Sequence, residues 1–226
     1  MITNDIIFLD FETTGVNPLT CQPVQLAAVV IDGRKLEIVE GSEFQTLILP
    51  ELDEYTCAAK RLDPLTEGSI RVHGKTPEIL SGAPNVKLAW KLFVDYVNSY
   101  NPKGGKWNAP IMAGYNVVNY DSKIINRLVM EEPYKFGPMD NKGECSLFNP
   151  RMTWDLIHDV QRWTHFNPEI TSVSFDNMRK YTGMSTDNAH DAMQDVKQGA
   201  LFLCKFLNMY KKMTPGLKLK GSCVGF

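Results

Sequence analysis

Long apolar runs are missing from this 226-residue sequence: nowhere is there a stretch of the roughly 18 consecutive apolar residues that a membrane-spanning helix needs. The polar start, Met1 to Asp5, runs straight into a short apolar strand and has none of the layout of a secretory signal. The expectation is therefore a cytoplasmic protein with no membrane partner. Cysteine is sparse and unpatterned. Cys21, Cys57, Cys145, Cys204 and Cys223 include no C-x-x-C spacing, and an odd number makes a poor disulfide framework, so reduced thiols are expected and structural zinc is not. Internal repeats and low-complexity stretches are also lacking, which excludes solenoid and fibrous architectures.

Net charge is small as well, at −2, where nucleic-acid binders are usually basic. Its distribution is uneven. From Val196 onward there are six lysines (Lys197, Lys205, Lys211, Lys212, Lys218, Lys220) and no acidic residue. Lysines ending a helix complement its dipole, and the same lysines form a patch that attracts phosphate; both readings stand. A site built from clustered carboxylates would itself lower the net charge, and bound cations would restore positive potential there.

What is present suits one compact domain. Hydrophobic residues make up 43% and charged residues 22%, which argues against disorder. Apolar runs at 6–9 and 23–31 and a third at 44–49, closed by Pro50, predict a three-strand meander. Residues 51–85 read as loop, with short helical turns near 63–70 and 76–81. Helical spacing predicts a helix over 85–100, followed by a buried strand at 110–114 and a helix over 119–130 capped by Asn119. The segment 133–150 reads as an exposed flap insertion. A last strand at 152–154 precedes helices over 155–163, 172–181 and about 190–210. The expected fold is α/β, a mixed five-stranded sheet flanked by helices, in a domain over 1–212 with a basic tail over 213–226.

Three segments carry chemistry. In Asp10-Phe11-Glu12-Thr13-Thr14-Gly15 the alternation of a strand places both acids on one face, about 7 Å apart along the chain. Two carboxylates ending an apolar strand call for compensation, and hard divalent cations bound by oxygens supply it. A solvated strand end is the plain alternative. Asp121, in Asn116-Val117-Val118-Asn119-Tyr120-Asp121, falls in the first turn of a helix, where an acid is also explained by the helix dipole. In His190-Asp191-Ala192-Met193-Gln194-Asp195, an ideal helix would point His190 and Asp195 about 140° apart. They face one site only if His190 lies on the loop before the helix.

Together the segments resemble the DEDDh (DnaQ-like, proofreading-type) 3′-to-5′ exonucleases of the ribonuclease H-like superfamily: D-x-E-T-T-G at 10–15, N-x-x-x-[FY]-D at 116–121 and H-x-A-x-x-D at 190–195. His73-Gly74-Lys75-Thr76 resembles the family's H-G-I-T segment, and Thr153 to Leu156 its late strand and helix. A tyrosine-class member would carry Tyr at position 191, which is Asp191. The resemblance implies a ribonuclease H-like fold and two Mg²⁺ or Mn²⁺ ions held by Asp10, Glu12, Asp121 and Asp195. It makes His190 the base that deprotonates the attacking water, and 5′-mononucleotides the product. It implies contacts to the terminal nucleotide from Phe11, Thr13, Thr14, His73, Asn116 and Tyr120, with the Phe11 ring stacking on a base. The implied partner is a single-stranded nucleic acid 3′ end, DNA favoured over RNA, with a DNA polymerase or replication complex as a further partner. Trimming of RNA 3′ ends and a catalytically inactive nucleic-acid-binding module are the alternatives. Three residues depart from the family pattern: Phe11 replaces a small polar residue, Gln25 an acid, and Lys75 an apolar residue.

Overall fold

The structure is a computed structural model that describes residues 4–131, 146–185 and 191–214. Five strands form one sheet: β1 (Ile6–Thr13), β2 (Pro23–Ile31), β3 (Phe44–Leu47), β4 (Ile111–Gly114) and β5 (Thr153–Asp155), in the order β3-β2-β1-β4-β5. β1, β2 and β3 pair antiparallel as the expected meander, and β4 and β5 add parallel to β1. Eight helices accompany them among the described residues: α1 (Glu54–Lys60), α2 (Glu67–His73), α3 (Pro77–Leu80), α4 (Val86–Ser99), α5 (Asp121–Glu131), α6 (Leu156–His165), α7 (Phe175–Thr182) and α8 (Ala192–Met213).

Strand alternation sorts β1 into two cores. Ile7, Leu9 and Phe11 face Trp90, Phe93 and Val97 of α4 and Ile124 and Leu128 of α5. Ile6 and Phe8 face Leu156 and Val160 of α6, Met178 of α7 and Val196, Ala200 and Leu203 of α8. β2 is buried at every position, as a strand covered on both faces must be. The mixed sheet with helices on both sides is the expected α/β, ribonuclease H-like architecture.

β1 runs on to Thr13, paired with β2, with an irregularity in register between Glu12 and Thr13, so the alternation that places Asp10 and Glu12 on one face holds. Three expectations are corrected. Helix α1 lies within the segment read as loop: Asp53 caps it, accepting from Thr56 N at 2.7 Å, and Arg61 closes it with φ 56°. Only Cys57 of α1 is buried, so it has no apolar stripe for periodicity to find. Asn119 does not cap α5, which begins at Asp121; the Asn119 amide instead donates to Asn116 Oδ1 at 3.0 Å. Finally, most of the segment read as an exposed flap (133–145) lies outside the described residues, but two residues near its far end are not exposed. Leu147 and Phe148 are buried in the first core, the latter with its ring 6.4 Å from that of Phe93.

Helix α8 extends past Tyr210, and Lys211 of its last turn donates to the Arg34 carbonyl. Lys218 and Lys220 of the basic tail lie outside the described residues. Cys21, Cys57 and Cys204 are free thiols. No described helix is long and apolar enough to cross a membrane.

Candidate active site

The acids gather where β1 ends beside the parallel strand β4, at the carboxyl edge of the sheet, where open α/β sheets bind ligands. Asp10 and Glu12 come from β1 on the face that packs on α8, and Asp195 comes from the first turn of α8. One carboxylate oxygen from each of the three lies within 4.8 Å of those of the other two. Asp121 arrives from the opposite side of β1, at the start of α5, and its Oδ1 accepts the Phe11 N–H at 3.2 Å.

These acids strain against burial. Asp10 is held well above the usual carboxylate range, by desolvation first and then by the charges of Asp121, Glu12 and Asp195. Burial and Asp195 push Glu12 up to about 8, and burial pushes Asp121 up to about 7. A set of closely spaced, partly desolvated carboxylate oxygens is what hard divalent cations bind, and a cation would relieve both the repulsion and the desolvation. The donor set therefore fits a divalent metal.

His190 lies outside the described residues. Helix α8 begins at Ala192, with Asp191 as its N-cap accepting from Met193 N and Gln194 N, so position 190 precedes the cap. Asp191 also draws together two of the residues that depart from the family pattern. Its Oδ2 accepts from Lys75 Nζ at 3.2 Å and from Gln25 Nε2 at 3.4 Å. Against the opposing effect of burial, these bonds keep the Asp191 carboxyl below its ordinary range, and the Lys75 charge also acts on Glu12.

The residues implied for substrate contact separate. The Phe11 ring is buried in the first core, because the alternation that unites Asp10 and Glu12 turns residue 11 to the other face. It is not available to stack on a base. The Thr14 hydroxyl is spent internally, donating to the Asp63 carbonyl and accepting from Gln22 N. Thr13 Oγ1 and the Tyr120 hydroxyl meet each other at the Gly15 carbonyl, and both residues are part-exposed. Asn116 adopts a left-handed turn with φ 61°, its Oδ1 occupied by Asn119. His73 is buried at 5% exposure; its Nδ1 accepts from Lys75 N at 3.0 Å, and burial pushes its pKa down to about 4. The imidazole is thus neutral, and the accepting role of Nδ1 places the proton on Nε2, which is buried without a hydrogen-bond partner among the described residues.

Two supporting residues were not expected at the site from the sequence. Asp155, at the end of β5, accepts from Asn116 N, Val118 N and Ile157 N, tying the turn before Asp121 to the neighbouring strand while capping α6. Arg179 of α7 is 1% exposed and its Nη2 donates to Asp195. In the sequence it is one basic residue beside Lys180 in the last turn of a helix.

The sequence profile of the exonuclease family (RNase T) matches residues 7–202. The chain belongs to this family. Among its relatives, exodeoxyribonuclease I of Escherichia coli K12 is 24% identical over 194 residues, covering 84% of this chain and 37% of that protein. Oligoribonuclease of Shewanella sp. W3-18-1 is 23% identical over 197 residues, covering 86% of this chain and 89% of its own. The structure of E. coli exonuclease I in complex with a dT13 oligonucleotide superposes with a TM-score of 0.65 at 20% identity, over 94% of this chain and 43% of that one. This likeness establishes a shared exonuclease fold. The chain spans about two fifths of the length of the exodeoxyribonuclease I relatives it matches, 37% and 42%.

Proposed function

We propose that this member of the exonuclease family removes nucleotides from the 3′ end of single-stranded DNA, releasing 5′-mononucleotides with two Mg²⁺ or Mn²⁺ ions. The observation that carries this reading is the convergence of Asp10, Glu12 and Asp195 oxygens within 4.8 Å at the end of β1, with Asp121 beside them. These four residues would hold the cations. When bound, the metals would supply an activated water and stabilise charge on the departing 3′-oxygen.

The chain's own groups do the rest. Asp10, Glu12 and Asp121 give up their protons on loading, since a ligating carboxylate must be ionised. His190, just before the α8 cap, takes a proton from the attacking water, a role carried by the family resemblance and suited to an imidazole whose ordinary pKa is about 6.5. Thr13 and Tyr120, part-exposed and joined at the Gly15 carbonyl, are the groups left to contact the terminal nucleotide, while His73 is buried like Phe11. DNA is favoured because the exodeoxyribonuclease I relatives act on it, as their name states.

One observation favours a second reading, trimming of RNA 3′ ends: the match runs over 89% of the oligoribonuclease relative but only 37% of exodeoxyribonuclease I. Incubation with matched 3′-labelled and 5′-labelled DNA and RNA strands plus Mg²⁺ separates these readings. Metal-dependent mononucleotide release starting at the 3′ end of DNA is expected. Faster release from RNA would transfer the assignment to the second reading, and no release from either strand would end both.

A further inference from the structure

Arg179 occupies a place that metal ligation alone does not explain. Its guanidinium is buried, and three of its nitrogens are committed. Nη2 donates to Asp195 Oδ1, Nη1 to Asp176 Oδ1 at 2.6 Å, and Nε to Gln198 Oε1 at 2.7 Å, while the group lies 4.2 Å from the centre of the Phe175 ring. Asp176 and Arg179 stand three residues apart on α7, and Asp195 and Gln198 three apart on α8. A single planar fork therefore braces the two helices at the residue that supplies an acid to the metal cluster. Arginine does not lose its proton in proteins, so a positive charge is permanently fixed here. That charge also acts on Asp10, lowering its pKa against the pull of burial and three neighbouring acids.

We infer that Arg179 is a positioning residue for the metal-dependent reaction, holding Asp195 through Oδ1 so that its carboxylate stays gathered with those of Asp10 and Glu12. It also offsets part of the charge of the acid cluster before metal arrives. This rests on the exonuclease reading above. Hydrogen bonds behind a metal ligand orient it, and their loss commonly costs about 10- to 100-fold in affinity or activity. Here the two effects oppose each other for metal binding. Removing Arg179 frees the orientation of Asp195 but also removes a repelling cation, so affinity is conserved while the geometry that serves catalysis is lost.

The test is Arg179→Gln and Arg179→Lys in the full chain, measuring melting, Mn²⁺ binding by calorimetry, and single-turnover release at saturating metal and substrate. For Arg179→Gln the expected result is a native-like fold, Mn²⁺ affinity within about threefold of the parent or tighter, and a rate about 10- to 100-fold lower that excess metal does not restore. Arg179→Lys, which keeps the charge without the fork, is expected to recover part of the rate. Should Arg179→Gln not fold, the lysine variant carries the test through a lowered rate at parental Mn²⁺ affinity. Rates within twofold of the parent in a folded variant would overturn the inference, as would a loss of rate that excess metal fully restores. Failure of the exonuclease reading would show separately, as an unsubstituted chain that releases no mononucleotide.

Discussion

Gly199 of α8 lies against the ring of Phe8 on β1: a Cβ at residue 199 would come within 2.5 Å of Phe8 Cζ and 2.6 Å of Cε1. Phe8 precedes Asp10 by two residues on the same face of β1, and Gly199 follows Asp195 by one helical turn. The missing side chain is what lets α8 approach closely enough to bring Asp195 into the acid cluster.

Gly199→Ala should therefore act on stability and chemistry together. Overpacking of this kind costs about 1–3 kcal/mol, more than alanine's better helix propensity returns. Urea denaturation measures the first effect and single-turnover release the second. A variant as stable and active as the parent would show that the close contact does not set the position of Asp195.

The acid cluster predicts an unusual pH dependence in the absence of metal. Glu12 rises from 4.5 to about 8 and Asp121 from 3.8 to about 7 on folding, so across that window the folded chain binds more protons than the unfolded one. Stability contributed by these groups is therefore present at acid pH and lost as pH rises from about 4 to about 8. Denaturation in chelator near pH 5 and pH 8.5 should show the metal-free protein weaker at the higher pH, and Mg²⁺ should reverse the trend. A cluster contribution that grows with pH without metal would contradict these directions.

Asp10→Asn should stabilise the metal-free protein at alkaline pH while abolishing activity, because it takes away a group whose ionisation is opposed by desolvation and by three neighbouring acids. Melting in chelator at that pH is expected to rise, the melting shift on adding Mn²⁺ to shrink, and mononucleotide release to vanish. Persistent metal-dependent release from this variant would remove Asp10 from the site.

Asp191 lends itself to a two-step substitution. Asn at this position keeps a good N-cap acceptor and breaks the bonds that Oδ2 accepts from Lys75 and Gln25; Ala loses these and the cap, and loss of a cap costs about 1 kcal/mol. Arranged side by side, Asp191→Asn should fall between the parent and Asp191→Ala in chemical denaturation. Equal effects of the two would mean that the bonds to Gln25 and to Lys75, whose side chain is 14% exposed, outweigh the cap.

His190→Ala should lower the rate strongly with Mn²⁺ binding mostly retained, since a base, unlike a ligand, is not needed to hold metal. Loss of Mn²⁺ binding in calorimetry would give His190 a different role.

Much of this was legible in the sequence because it is local and periodic. The alternation in β1 pairs Asp10 with Glu12 through residues two apart, the apolar runs define β1 and β2, and the 3.6-residue spacing defines α4. The four acids were marked out by the resemblance of their three segments to the family's motifs, and the structure brings Asp10, Glu12 and Asp195 together with Asp121 across β1. The same periodicity, carried one residue further, turns Phe11 into the core, where its ring packs with α4 and α5 instead of stacking on a base. Helix α1 escaped because only Cys57 on it is buried, leaving no stripe to detect.

Tertiary structure alone decided the contacts that depend on how closely separate elements pack. Lys75 and Gln25 are only departures from the family pattern until the N-cap of α8 is set beside β2 and the end of α2, where both bond to Asp191. Asp155 becomes the anchor of the turn before Asp121 only when β5 pairs with β4. Arg179 reads as a solvated helix charge until Gly199 admits α8 onto β1 and α7 closes over it. Spacing within one strand or helix determines which face a residue takes; which residue meets it across that face is set by packing distances between elements, and these are not written in any one segment.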